Sequence, residues 1–139
     1  MANHEIMKEW FRLANQDYNI AVNSKNTMHP LPVESICYHA QQAVEKSLKI
    51  ILICNNQRIP KTHDIQLLKR LCNEIVPDII SFTDETADLL TEFAASRYPD
   101  NQYPLTEDLI PFALTQAEIA LNIIIDHIPE LISEHKDEH

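Results

Sequence analysis

VESICYHAQQAVEKSLKIILICN, residues 33–55, is the stretch on which the fold turns. Val33, Ile36, Cys37, Ala40, Val44, Ser47, Leu48 and Ile51 recur at steps of three and four, the spacing of one helix face. Ala40, Ala43 and Ser47 are small, so another helix can approach closely. Pro32 stands before the run and NNQRIPKTHD closes it, both loop signals. The pattern predicts a helix over about Val33–Asn55.

The same period extends outward in both directions. Upstream, residues 4–24 carry Ile6, Trp10, Leu13, Ala14, Tyr18, Ala21 and Val22, and KNTMHPLP (25–32) with its two prolines ends that helix. Downstream, Thr62 or Asp64 can cap a short helix over Ile65–Ile75 bearing Leu67, Leu68 and Leu71, before Pro77 interrupts. Ser81 or Thr83 starts a fourth segment, with stripe Ala87, Leu90, Ala94 and Arg97, so that Arg97 ends the packed face. After the loop RYPDNQYPLTED, a last helix starts at Thr106 or Asp108 and holds Pro111 in its first turn. It runs through Ala113, Ala117, Ala120, Leu121, Ile124 and Ile128, with Pro129 shortening it and about 130–139 left as a frayed polar tail. The expectation is an all-α, up-and-down helical bundle of four main helices plus a short fifth, one domain over residues 1–139. Phe112, Ile119, Ile123 and Ile125 lie off the last stripe, and a second apolar face there predicts a twofold dimer.

Composition narrows the chemistry. The chain has 139 residues and no glycine, which excludes a P-loop, a dinucleotide fingerprint and a GxSxG elbow. Net charge is −10, but residues 1–70 hold nine basic side chains against six acidic, whereas 71–139 hold two against fifteen. Broad DNA binding is therefore not expected, and a local basic site in the first half is. The longest strongly apolar run, Ile50–Cys54, is far short of a bilayer span, so no membrane association is expected. Cys37, Cys54 and Cys72 lack CxxC spacing and the N-terminus lacks a signal core, which points to reduced thiols in a cytoplasm. No zinc spacing occurs, so no metal and no cofactor is predicted.

Three groups of residues could carry function. On the second helix His39, Gln42, Lys46 and Lys49 align on one face, with Glu45 and Lys49 an i, i+4 pair. Such a line can hold a phosphate or ribose, or it can be a solvated helix face. His63 in KTHDI sits at a helix N-terminus, where backbone N–H groups attract anions, although a capped surface turn explains the same residues. Arg97, beside Tyr98 and Tyr103, is either an anion-binding fork or the partner of Asp17, a carboxylate that falls inside the first apolar stripe and needs a partner if buried.

WxxLAxxDxxxA (Trp10–Ala21), YHAQQAVEKSLKIIL (Tyr38–Leu52), PKTHDI (Pro60–Ile65), the leucine-rich short helix and SRYPD (Ser96–Asp100) occur in the order found in the HEPN family of small helical domains, which the chain resembles over nearly its whole length. The resemblance implies a dimeric bundle with a nucleotide-binding cleft, a toxin–antitoxin-like setting and a minimal nucleotidyltransferase as partner. It also implies RNA cleavage in members that carry an Arg followed four to six residues later by His. Here Arg97 fills the first position, but Asn101, Gln102 and Tyr103 occupy the window and the next histidine is His127. A non-catalytic module is therefore expected, with His39, Gln42, Lys46, His63 and Arg97 as ligand contacts and Asp17, Glu45 and Tyr98 supporting them. The alternatives are a variant ribonuclease, using Arg97 with His39 or His63, and a scaffold that binds only protein. Tyr98 and Tyr103 could also accept a partner's nucleotidyl group.

Overall fold

The computed structural model describes residues 2–95 and 104–132. Arg97, Tyr98 and Tyr103 lie outside these residues, as does the tail from 133. Five helices follow in order: α1 (Ala2–Thr27), α2 (Val33–Cys54), α3 (Ile65–Ile75), α4 (Asp84–Ala95) and α5 (Leu109–His127). No strand occurs among the described residues, in agreement with the all-α expectation.

α2 is the axis of the bundle. Its predicted face is buried throughout, and so are Ile50, Leu52 and Ile53 on its other sides, because α1, α3, α4 and α5 all pack against it. A helix surrounded in this way must be apolar around most of its circumference. The α1–α2 contact is the most extensive, and Ala14 and Ala21 on α1 are fully buried, as are Ala40, Ala43 and Ser47 on α2. Small side chains on both helices permit that close approach.

Local chemistry sets the boundaries. α1 is longer than the sequence pattern predicts, since nothing between Lys25 and Thr27 breaks a helix and Thr27 Oγ1 donates to the Asn23 carbonyl at 2.7 Å. α3 begins where Asp64 caps it, its carboxylate accepting from the backbone N–H of Gln66 (3.0 Å) and Leu67 (3.2 Å). Thr83 caps α4 by accepting from Thr86 N–H at 3.1 Å. The left-handed turns that glycine would normally supply fall to Asn56 (φ 61°) and Asp78 (φ 63°), residue types whose short polar side chains tolerate that region. Asn56 ends α2, where Gln57 N–H reaches back to the Leu52 carbonyl at 2.9 Å.

Three sequence expectations need correction. The core face of α4 is Ala87, Leu90 and Phe93; Ala94 is only half-buried. Residues 130–132 form a further helical turn that buries Leu131 to 1% exposure, so the chain beyond Pro129 is not all frayed tail. On α5 Phe112 and Ile123 pack against the core, Ile125 is half-buried and Ile119 is 38% exposed, while Thr115, Glu118, Asn122 and Asp126 make the exposed side polar. By length and composition alone α5 could cross a membrane; within this fold Ile110, Ala113, Leu114, Ala117, Ala120, Leu121 and Ile124 are buried.

The cysteines are unpaired, with Cys37 and Cys72 buried and Cys54 exposed. Burial pushes the Cys37 and Cys72 thiols up to about 12, Glu34 adding to the effect at Cys37. Cys54 is expected to react first with an aromatic disulfide reagent, and the other two only after unfolding; equal rates at all three would contradict the packing. Since the buried thiols have raised values in the folded state, their contribution to stability is complete below the ordinary thiol value of about 8.5 and is lost as pH climbs from there toward 12.

Candidate functional site: a polar spine along the second helix

Helical register puts Asp17 on the edge of α1 that meets α2, where it is only 7% exposed. Two donors from α2 reach it. His39 Nδ1–H donates to Oδ1 at 2.8 Å, and Lys46 Nζ donates to Oδ2. His39 and Lys46 are seven residues apart, two turns, so both point the same way along α2. Their side chains remain 25% and 20% exposed, and the His39 ring also meets Tyr38 edge-on at 5.2 Å between centroids. Asp17 thus has partners among the described residues, and they are His39 and Lys46; the expected pairing with Arg97 lies outside those residues.

A second group sits one step around the helix. Glu45, 3% exposed, accepts from Lys49 Nζ at 3.1 Å through Oε2, and from Gln41 Nε2 at 3.2 Å and His63 Nδ1–H at 2.8 Å through Oε1. Gln42 Nε2 in turn donates to Gln41 Oε1 at 2.9 Å. Lys49, itself buried, lies 5.8 Å from the centroid of the Trp10 ring, a cation–π contact that ties this group to α1. A buried carboxylate needs this density of donors, because an unpaired charge removed from water is costly.

The line His39, Gln42, Lys46 and Lys49 is therefore not a solvated face. Gln42 and Lys49 are buried and satisfied by protein partners, so neither is free to hold a phosphate. The N-terminus of α3 is closed to anions as well. Ile65 N–H donates to Thr91 Oγ1 at 3.0 Å, Gln66 and Leu67 N–H are taken by Asp64, and the Asp64 carboxylate would repel an anion. His63 keeps an exposed side chain at 71%, with Nδ1 held by Glu45. The structure thus brings His39, Lys46 and Asp17 together, and separately Glu45, Gln41, Gln42, Lys49 and His63. Arg97 and Tyr98 lie outside the described residues.

Gln41 was absent from the sequence candidates, although its position four residues before Glu45 and eight before Lys49 is the signal that could have found it. A further polar link joins α1 to α5, where Tyr18 Oη donates to Glu118 Oε1. Desolvation, then the bond to this carboxylate, push the Tyr18 phenol up to about 12. No group of three or more His, Cys, Asp or Glu among the described residues is placed to hold a metal ion.

Both histidines share one geometry. Nδ1 donates to a buried carboxylate, which fixes the ring and leaves Nε2 as the nitrogen available to a ligand. In comparisons with known proteins, the family model of the HEPN domain matches residues 7–128. No curated protein matches the chain, and no solved structure does.

Proposed function

Because the chain belongs to the HEPN family, we propose that it acts as a non-catalytic HEPN module: a cytoplasmic homodimer that binds a nucleotide or RNA phosphate at the α1–α2 edge and works with a nucleotidyltransferase partner in a toxin–antitoxin-like system. The observation that carries this reading is the convergence of His39 and Lys46 on the single carboxylate of Asp17, with part of each side chain open to solvent. One carboxylate neutralises one cation. The Lys46 N–H bonds that Asp17 does not take can be donated to phosphate oxygens, beside the open edge of the His39 ring. Asp17 positions both donors before a ligand arrives, which lowers the ordering cost of binding. In this reading His63 and Arg97 are further ligand contacts.

Titration calorimetry with ATP, GTP and short RNAs tests the reading. The wild-type chain is expected to bind, and Lys46→Ala and Arg97→Ala are each expected to weaken binding by about tenfold or more, the loss of one charge-assisted contact. No binding by the wild type, or unchanged affinity in both variants, would overturn it.

The carboxylate-held imidazoles favour one second reading, a variant ribonuclease in which His39 or His63 Nε2 accepts a proton while Arg97 binds phosphate. Incubation of the purified chain with total RNA separates the two. Cleavage that disappears in Arg97→Ala would replace the first reading by the second.

A further inference from the structure

Five histidines fall among the described residues, and His63 differs from the other four. Its side chain is 71% exposed, yet its Nδ1–H donates at 2.8 Å to Glu45, a carboxylate only 3% exposed. His29 and His127 are exposed but make no ion pair among the described residues, His39 has a carboxylate but a side chain only 25% exposed, and His4 is half-buried. A neutral ring whose Nδ1 carries the proton keeps its lone pair on Nε2, on the side away from Glu45. Glu45 is itself held by Lys49 and Gln41, so it cannot turn aside as the ring gains charge. An acceptor fixed in this way stabilises a developing positive charge without reorganising.

We propose that His63 Nε2 accepts a phosphoryl group from a donor of the phosphoramidate class, in which phosphorus is bonded to nitrogen. The Nε2 lone pair attacks phosphorus, and a new N–P bond forms. The donor's own P–N bond breaks, its electron pair leaves on the donor nitrogen, and that nitrogen takes a proton from solvent. The His63 Nδ1 proton stays on the ring in its bond to Glu45, whose negative charge balances the positive charge that the ring acquires. The bond broken and the bond formed are of one kind, so the transfer requires no further energy source. Arg58 and Lys61 lie in the same loop, exposed and in no ion pair among the described residues, and they bring positive charge to the approach of an anionic donor. The neighbouring carboxylate, Asp64, is occupied in capping α3. This assignment adds a covalent role to the contact role of His63 and does not depend on nucleotide binding at the α1–α2 edge.

The full chain is incubated with potassium phosphoramidate at neutral pH, then digested and mapped by mass spectrometry under alkaline conditions that preserve N–P bonds. The peptide carrying His63 is expected to gain one phosphoryl group at least about tenfold faster than those carrying His29 or His127, the advantage of one fixed charge-assisted hydrogen bond. The adduct is expected to be lost on acidification, and His63→Gln to lack it. In urea, where the Glu45 contact is gone, the rates at the three histidines should become equal. Labelling of His63 no faster than of His29 and His127 in the folded chain, a label that withstands acid, or an advantage that persists in urea overturns the proposal.

Discussion

Glu45→Ala is expected to destabilise the chain by about 3–5 kcal/mol, the cost of stripping a buried charge of its partner. The substitution leaves Lys49, 6% exposed, with no carboxylate, and removes the acceptor used by Gln41 and His63. For a domain of this size the melting temperature should fall by roughly 10–15 °C. Thermal unfolding followed by circular dichroism measures it. A companion variant, Glu45→Met with Lys49→Met, is expected to recover most of the loss, since a well-packed apolar pair can replace a buried ion pair at little or no cost. If Glu45→Ala melts within about 2 °C of the wild type, Glu45 and Lys49 are solvated in solution and the buried spine is wrong.

Phe93→Ala is expected to cost a similar amount, about 3–5 kcal/mol, by a different mechanism. Phe93 is fully buried and meets the Phe112 ring edge-to-face, with centroids 6.5 Å apart and planes at 85°. Truncation removes the apolar contacts and leaves a cavity at the junction of α4 with α5. Phe93→Leu fills most of that volume and should recover more than half of the loss. A Phe93→Ala variant as stable as the wild type would show that α4 packs through another face.

Those two residues also mark the limits of what sequence pattern conveys. The bounds of α3 were legible at Ile65–Ile75, because Asp64 is a cap, but its buried face is Ile65, Leu68 and Cys72, with Leu67 and Leu71 only half-buried. α2 was legible within one residue for the same kind of reason. α4 was less so. In DETADLLTEFAA apolar residues fall on several faces, and only the packing against α2 and α3 decides that Phe93 and not Ala94 points inward. Periodicity aligns His39, Gln42, Lys46 and Lys49 correctly, but it does not reveal what covers them. The cover comes from Asp17 and Trp10 on α1 and from His63 beyond the end of α2, contacts that chain folding makes between remote positions. Asp17 itself was legible as a carboxylate in need of a partner. Which partner it takes depends on the angle at which α1 meets α2, and no local rule supplies that.

The two groups differ in how much they leave for a ligand. Around Glu45 both the carboxylate and the Lys49 ammonium are buried and paired, which suits a structural role. Around Asp17 both donors, His39 and Lys46, stay partly open to solvent, which suits recognition. This contrast assigns stability to Glu45 and Lys49, and binding to His39 and Lys46.

The most direct measurement follows the His39 imidazole nitrogens by two-dimensional proton–nitrogen NMR while ATP or a short RNA is added, with Lys46→Ala as control. The expected result is a saturable shift of His39 Nε2 in the wild type, with little change at His4, and its loss in Lys46→Ala. A His39 signal that stays fixed while ligand binding is detected elsewhere on the chain would contradict the account.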